Sequence, residues 1–338
     1  MAAPSSGRVP DFFLVGHQKC GTTALHLMLG QHPRIFMPAV KEPRFFATDL
    51  RSRFAQADAG AGAGPAAPAG RPTTLEGYMA LYAAAAPGQL AGDASATYLR
   101  SKAAAAGIAE VQPGARIVAV FREPASYLRS LHLQLLQSNV EDERDLRRAL
   151  ELETMRRDGR RIPAHSHHPE ALMYSEHVRY TEQLERFHAA FPREQVLALI
   201  YEDFKRDNMA TFEQILRFLD LDLDDAERAI AAIEPVRTRP VRESRSATLH
   251  RMVARVRLAG RAPERVGPLA RAAAAMVPAA MRSPEFSNRW RRAVYAEQRA
   301  PDELLMRELR VRFRPQVEAF GSYIGRDLVD LWGYAQDA

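Results

Sequence analysis

Residues 11–30 constrain the fold more than any other stretch. Asp11-Phe12-Phe13-Leu14-Val15 is an apolar run of strand length, and Leu25, Met28 and Leu29 recur at i, i+3 and i+4. That periodicity predicts a helix from near Thr22 to Gly30. The loop between them, Gly16-His17-Gln18-Lys19-Cys20-Gly21, carries glycines five positions apart. A strand, a tight glycine-bounded loop and a helix aim the loop amides and the helix N-terminus at one spot. Their unsatisfied N–H groups and the helix dipole favour an anion there. Lys19 adds a full positive charge, and Thr22 and Thr23 add hydroxyl donors.

The spacing departs from the Walker A pattern G-x-x-x-x-G-K-[ST]. Gly16 and Gly21 fit its glycines, but Thr22 follows the second glycine and the lysine stands two positions before it. The loop is thus expected to hold a phosphate with a differently placed lysine.

Further strands and helices alternate along the chain, which predicts an α/β fold with right-handed crossovers. We expect a P-loop-like three-layer sandwich with a central parallel sheet flanked by helices. Arg116-Ile117-Val118-Ala119-Val120-Phe121 is the clearest buried strand and runs into Arg122-Glu123-Pro124, with the proline suited to open a helix. Val196 to Tyr201 is another such strand, and Gln89 to Ser95 a shorter one ending in a polar turn. Helices are expected over Thr74–Ala86, over Tyr174–Ala190, over Thr211–Leu219 and in the segment from Pro301 to Trp332. Residues 140–162 read as a solvated, charge-rich helix, and 57–72 as a low-complexity loop.

Ligands of open α/β sheets bind at the carboxyl ends of the strands. Arg122 and the first loop therefore fall on one edge, with Ser130 in the second turn of the helix that follows; the competing reading of Arg122 is a surface salt bridge. Glu42, in Lys41-Glu42-Pro43-Arg44-Phe45-Phe46, precedes a proline and is expected to be extended. Its segment is either a site walled by two phenylalanines or a surface turn with two core aromatics. Asp93 is either a site residue or a helix cap.

The chain has 338 residues, a formal charge of +6 and a pI near 9.6, which suits an acidic partner such as a nucleotide, a polyanion or a membrane surface. Cys20 is the only cysteine, so no intrachain disulfide forms. No apolar run reaches membrane-spanning length, and Met1 to Pro10 has no apolar stretch of signal-peptide type. A cytoplasmic protein is expected. His165, His167 and His168 have no accompanying carboxylates or cysteines in an ordered pattern, which argues against a metal site. Ten arginines fall between Arg237 and Arg271. That basic segment reads as a flap over an anionic ligand, as a membrane-surface helix or as a helix packed on the core.

Taken together, the motifs resemble the sulfotransferases that use 3′-phosphoadenosine 5′-phosphosulfate (PAPS), in the branch of the heparan sulfate and bacterial carbohydrate enzymes. Gly16 to Leu25 is similar to that family's 5′-phosphosulfate loop. Arg122-Glu123-Pro124, with Ser130 eight residues after the arginine, is similar to its 3′-phosphate site. Lys41 to Phe46 resembles the branch's Lys-Glu-x-His-Phe-Phe segment, whose glutamate is the catalytic base. Tyr201-Glu202-Asp203-Phe204 and Gly325-Arg326-Asp327-Leu328 before Trp332 are also similar. Arg44 stands in place of the branch's histidine, and Asp93 to Tyr98 stands in place of a Glu-Lys-(Ser/Thr)-Pro stretch, so a lysine of the acceptor side is missing.

The resemblance implies a single domain over 1–338: a nucleotide-binding core at 11–220, a basic helical flap or insertion at 237–290, and C-terminal helices at 300–335. It implies PAPS as cofactor, adenosine 3′,5′-bisphosphate (PAP) as product, and no metal requirement. Lys19, Cys20, Gly21, Thr22, Thr23, Arg122 and Ser130 would bind the nucleotide. Lys19 and Glu42 would be catalytic, with partial desolvation expected to raise the Glu42 pKa. The acceptor would be a hydroxyl or amine of a carbohydrate, glycolipid or small metabolite, with no nucleic acid partner and with peripheral membrane contact through the basic helix. A P-loop kinase using ATP and magnesium is the alternative, and a non-catalytic polyanion- or membrane-binding protein is a second.

Overall fold

The computed structural model describes residues 7–50, 72–138, 140–164, 166, 168–221, 243–244, 295–296 and 300–337. The first strand, β1 (Phe12–Gly16), is buried along its whole length, as its unbroken apolar run requires of a strand covered on both faces. It leads through the glycine-bounded loop into α1 (Thr22–Leu29). Then come β2 (Ile35–Phe36), α2 (Leu75–Met79), β3 (Leu90–Asp93), α3 (Ala104–Val111) and β4 (Arg116–Phe121). The helix α4 (Pro124–Gln137) follows β4 at once, with Pro124 in its first turn. After α5 (Leu146–Glu151), α6 (Glu153–Arg157), α7 (Tyr174–His177) and α8 (Tyr180–Ala190), the chain forms β5 (Val196–Ile200), α9 (Tyr201–Arg206) and α10 (Asn208–Phe218). The long α11 (Glu303–Ile324) and short α12 (Leu328–Leu331) follow.

The five strands form one all-parallel sheet in the order β2-β3-β1-β4-β5. The order reverses at β1, whose neighbours are β3 and β4, so a crevice opens at the carboxyl end of β1. Helices gather in two sets, α1 with α10, and α3, α4 and α8 with α11. Aromatic contacts tie α11 to the sheet: Phe320 lies 4.5 Å from Phe121 and 5.5 Å from Tyr180, ring centre to ring centre. The expected α/β architecture is present. Of the basic segment 237–290, only Glu243–Ser244 is described, paired antiparallel with Tyr295–Ala296; the flap, membrane and packed-helix readings lie outside the described residues. No helix among the described residues is long and apolar enough to cross a membrane.

Three expectations need correction. Residues 140–162 are not one solvated helix. They wrap a buried ion pair in which Arg156 Nη1 and Nη2 each lie 2.7 Å from a Glu141 carboxylate oxygen, with side chains 1% and 0% exposed. The Tyr174 hydroxyl donates to the same carboxylate at 3.0 Å. The helix expected over Thr74–Ala86 ends early, as α2 followed by a 3₁₀ turn to Tyr82. That expected over Tyr174–Ala190 breaks between His177 and Tyr180, and the Gln183 side chain donates to the freed Glu176 carbonyl at 2.9 Å. Amphipathic periodicity reads through such a break because a single polar side chain replaces the missing backbone bonds.

Candidate nucleotide and acceptor site

Gly16 and Gly21 bracket the loop for steric reasons. At Gly16 (φ +151°) a Cβ would come within 2.8 Å of the Val120 carbonyl oxygen, and at Gly21 (φ +82°) within 2.9 Å of the Phe204 ring. Lys19 itself has φ +70°, a left-handed conformation that costs a non-glycine residue about 1–2 kcal/mol. Gly21 caps α1 with no side-chain hydrogen bond to the first-turn amides. The N-terminus of α1 therefore presents amides without a side-chain cap at the carboxyl edge of the sheet, an arrangement that favours an anion.

The side chains divide sharply. Thr22 is buried and Thr23 exposed. Cys20 is fully buried in the core, and burial first of all pushes its thiol up to about 12. It stays a neutral thiol, so the part of Cys20 suited to a ligand is its backbone. Burial, and then the neighbouring Arg122 cation, lower the Lys19 pKa. A cation so placed gains strongly from an incoming dianion.

Arg122 is on the same edge and is held from three directions. Its Nη1 donates to the Lys19 carbonyl at 2.9 Å, its Nε donates to Ser126 Oγ at 3.2 Å, and its guanidinium sits 4.7 Å from the centre of the Tyr201 ring. The surface salt-bridge reading does not hold. Ser130 lies one turn beyond Ser126 on α4, half-buried. Glu123 caps α4, accepting from the Ala125 and Ser126 amides at 2.9 and 2.6 Å. It also accepts from Tyr334 Oη at 2.8 Å. Glu202 joins this corner, accepting from the Glu123 amide at 3.3 Å and from Trp332 Nε1 at 2.9 Å. Burial raises its pKa.

Sequence reasoning assigned no role to Ser126, Tyr201, Phe204 or His17. The Tyr201–Phe204 stretch resembles a family segment, but only the fold shows that its rings brace Gly21 and Arg122. His17 is buried, with Nε2 donating to Gln183 Oε1 at 2.7 Å and Nδ1 3.4 Å from the Tyr127 hydroxyl. Burial drives its pKa down to about 3, so it is neutral.

Glu42 differs from expectation in two ways. Its φ is +58°, not extended, and Arg44 has φ +57°. Ties to the end of β3 hold this bend: the Glu42 amide donates to the Ala94 carbonyl at 3.2 Å, and the Arg44 amide to Ser95 Oγ at 3.1 Å. Its pKa is lowered, not raised. Burial alone pushes the carboxyl up, but the charges and hydrogen bonds of Arg44 and Lys41 outweigh it and hold it below the usual carboxylate range. Asp93 is neither a cap nor solvent-facing. It is fully buried, accepts from Tyr78 at 2.7 Å, Ser95 at 2.7 Å and Tyr98 at 3.0 Å, and burial raises its pKa to about 6. Phe46 is buried, Phe45 is half-buried and stacks on Tyr78 at 4.8 Å, and both belong to the aromatic core around Asp93.

A cavity of about 270 Å³ opens beside the loop, with neither Lys19, Arg122 nor Glu42 in its wall. Its wall includes Gly16, His17 and Gln18 of the loop, Gln134 of α4, and Arg44 and Thr97, two of the three residues whose side chains reach the Glu42 carboxylate. A larger depression of about 510 Å³, lined by Arg148, Glu151, Leu152, Met155 and Arg161, has none of the edge residues. Among the described residues no cluster of three metal-ligating side chains forms; His165 and His167 lie outside them, and His168 sits 3.8 Å from Glu170.

The sulfotransferase family profile matches residues 10–225, which contain both glycine positions, Glu42, Arg122 and the whole sheet. The chain belongs to the sulfotransferase family. It is an enzyme of sulfuryl transfer with PAPS as donor, and the ATP–magnesium kinase alternative falls away. A solved sulfotransferase from Alicyclobacillus acidocaldarius is 22% identical, with a TM-score of 0.61 over 96% of this chain and 99% of that one. It shares the fold. Looser overlaps are with the sulfotransferase domain of the curacin biosynthetic pathway, at 16% identity, TM-score 0.41, 69% of this chain and 80% of that one. Another is mouse sulfotransferase SULT7A1, solved with PAP, at 17% identity, TM-score 0.40, 67% of this chain and 64% of that one. Among curated proteins no sequence matches the chain.

Proposed function

We propose that this sulfotransferase holds its donor across the β1–α1 and β4–α4 corners and draws the acceptor proton to Glu42. The observation that carries this reading is the uncapped N-terminus of α1 beside an Arg122 already anchored to the loop carbonyl. PAPS supplies a sulfuryl group activated by its bond to phosphate. The amides from Cys20 to Thr23 and the hydroxyls of Thr22 and Thr23 hold the 5′-phosphate end. Arg122 keeps a planar face of donors for the 3′-phosphate, with Ser130 as a further donor. Lys19 neutralises the charge that gathers on the phosphate oxygen as the sulfur leaves it, a stabilisation confined to the transition state. Most of the acceleration is positioning and charge, as in phosphoryl transfer.

Glu42 receives the acceptor proton while the acceptor oxygen, or amine nitrogen, bonds to sulfur. The acceptor is a carbohydrate, glycolipid or small metabolite, and the enzyme works in the cytoplasm as one domain over 1–338. The ten arginines of 237–271 support a basic element at 237–290 that closes over the anionic ligand or meets a membrane surface.

Calorimetric titration of PAP into the wild type and Arg122→Ala tests the nucleotide half, with 5′-AMP and ATP as controls. We expect tight PAP binding, weakened about ten- to a hundredfold in the variant, for loss of hydrogen bonds to a charged group. 5′-AMP should bind weakly to both proteins. Equal affinity for PAP and 5′-AMP would overturn the 3′-phosphate assignment.

A further inference from the structure

Glu42, the base of the reading above, is not free to act as one. Arg44 Nε and Nη2 reach its Oε2 at 2.8 and 2.6 Å, and Thr97 Oγ1 lies 3.4 Å from the same oxygen. Lys41 Nζ stands 3.5 Å from Oε1. The clasp is imposed by the backbone. Glu42 and Arg44 both adopt left-handed φ, and the bend is fixed through Ser95 to the buried Asp93. A carboxylate gripped in this way is a poor proton acceptor, because the guanidinium stabilises its charged form.

Arg44 also faces the cavity, and there a second guanidinium joins it. Arg100 donates to the Glu170 carbonyl at 3.2 Å and lies 3.3 Å from His177 Nε2, a histidine kept neutral by its burial. Among the described residues no carboxylate lies within ion-pair distance of Arg100. Arg44 and Arg100 thus both line the cavity, and Arg44 is paired with the Glu42 carboxylate. A neutral hydroxyl entering it offers nothing in exchange for the Arg44–Glu42 pair. An anionic group does.

We propose that Arg44 is a latch on Glu42 that an anionic substituent of the acceptor opens, so that the enzyme selects hydroxyls or amines lying beside a carboxylate, sulfate or phosphate. This rests on the sulfotransferase reading with Glu42 as base. The anion takes the Arg44 guanidinium, with Arg100 as its second contact, and Glu42 is left with Thr97 and Lys41. The acceptor O–H proton then passes to Glu42 as the new O–S bond forms. The old S–O bond to phosphate breaks, and its electron pair stays on the phosphate oxygen beside Lys19. Arg44 acts through Glu42 and is a positioning residue that sets specificity.

The test needs no knowledge of the natural acceptor, because water can serve as nucleophile. PAP binding is first verified by calorimetry; its failure would bring down the nucleotide reading itself and this proposal with it. Hydrolysis of PAPS to PAP and sulfate is then followed in rising sodium acetate against sodium chloride of equal ionic strength. Acetate should accelerate the wild type saturably, by about a hundredfold, the lower end of what a general base supplies. Arg44→Asn and Arg44→His, both residues that tolerate left-handed backbone, should hydrolyse PAPS at the raised rate without acetate and gain nothing from it. Glu42→Gln should be slow and indifferent to acetate. A PAP-binding wild type that ignores acetate, or Arg44 variants that respond as the wild type does, would overturn the latch.

Discussion

The corners β1–α1 and β4–α4 have the same plan, a buried parallel strand turning into a helix at the carboxyl edge of the sheet, yet they end in opposite states. The α1 N-terminus has no side-chain cap, and its loop folds back through the left-handed Lys19 and Gly21. The α4 N-terminus is filled by its own carboxylate, Glu123, which takes two helix amides and the Tyr334 hydroxyl. An open helix end attracts an anion, whereas one already holding a carboxylate repels it. The first corner therefore offers an anion backbone donors, and the second offers a side chain, Arg122. A helix start after a parallel strand is not by itself a phosphate site; the cap decides.

Four substitutions sharpen that contrast. The largest effect is expected from Glu42→Gln, which touches neither corner: turnover should fall about 10²- to 10⁴-fold with PAP affinity unchanged by calorimetry. Unaltered turnover would remove Glu42 from the chemistry. Lys19→Met acts on the open corner and should lower kcat about 10²- to 10³-fold, the range for losing one charge-stabilising donor; a purely ground-state role would appear as a raised KM with kcat preserved. Gly21→Ala forces a Cβ into the left-handed region and against the Phe204 ring. It should lower stability by about 1–3 kcal/mol and weaken PAP binding in step, and an unchanged melting temperature would refute the strain.

The smallest effect concerns the closed corner and pH. Burial raises the Glu202 pKa above its unfolded value, so the folded state binds more protons than the unfolded one in that window. Its favourable contribution is complete below the ordinary carboxylate pKa and is lost as pH rises through the raised one. In Glu202→Gln the melting temperature should depend less steeply on pH across that interval. Parallel pH curves for wild type and variant would contradict the assignment.

The sheet was legible because buried parallel strands read as unbroken apolar runs, and 116–121 and 196–200 fall where those runs lie. The tight loop between β1 and α1 was legible because Gly16 and Gly21 stand where a side chain would clash. What the sequence concealed was pairing between distant segments. Ser126 meets the Arg122 side chain, a contact made by the turn of α4. The Glu42 clasp depends on two residues in left-handed backbone, which neither residue type advertises, and the proline between them argued for extension. Charge-rich 140–162 looked solvated because one-dimensional patterning cannot show that Arg156 and Glu141 neutralise each other in the core.

The donors that Tyr334 and Trp332 give to the closed corner have a consequence in time. Tyr334 lies 211 residues downstream of Glu123, and Trp332 lies 130 residues downstream of Glu202. A nascent chain with residues 11–220 outside the ribosome already holds both glycines, Lys19, Arg122 and every strand of the sheet. Its two corner carboxylates nonetheless still lack these donors. The closed corner is thus completed only by the downstream helices, not within the segment that bears the motifs.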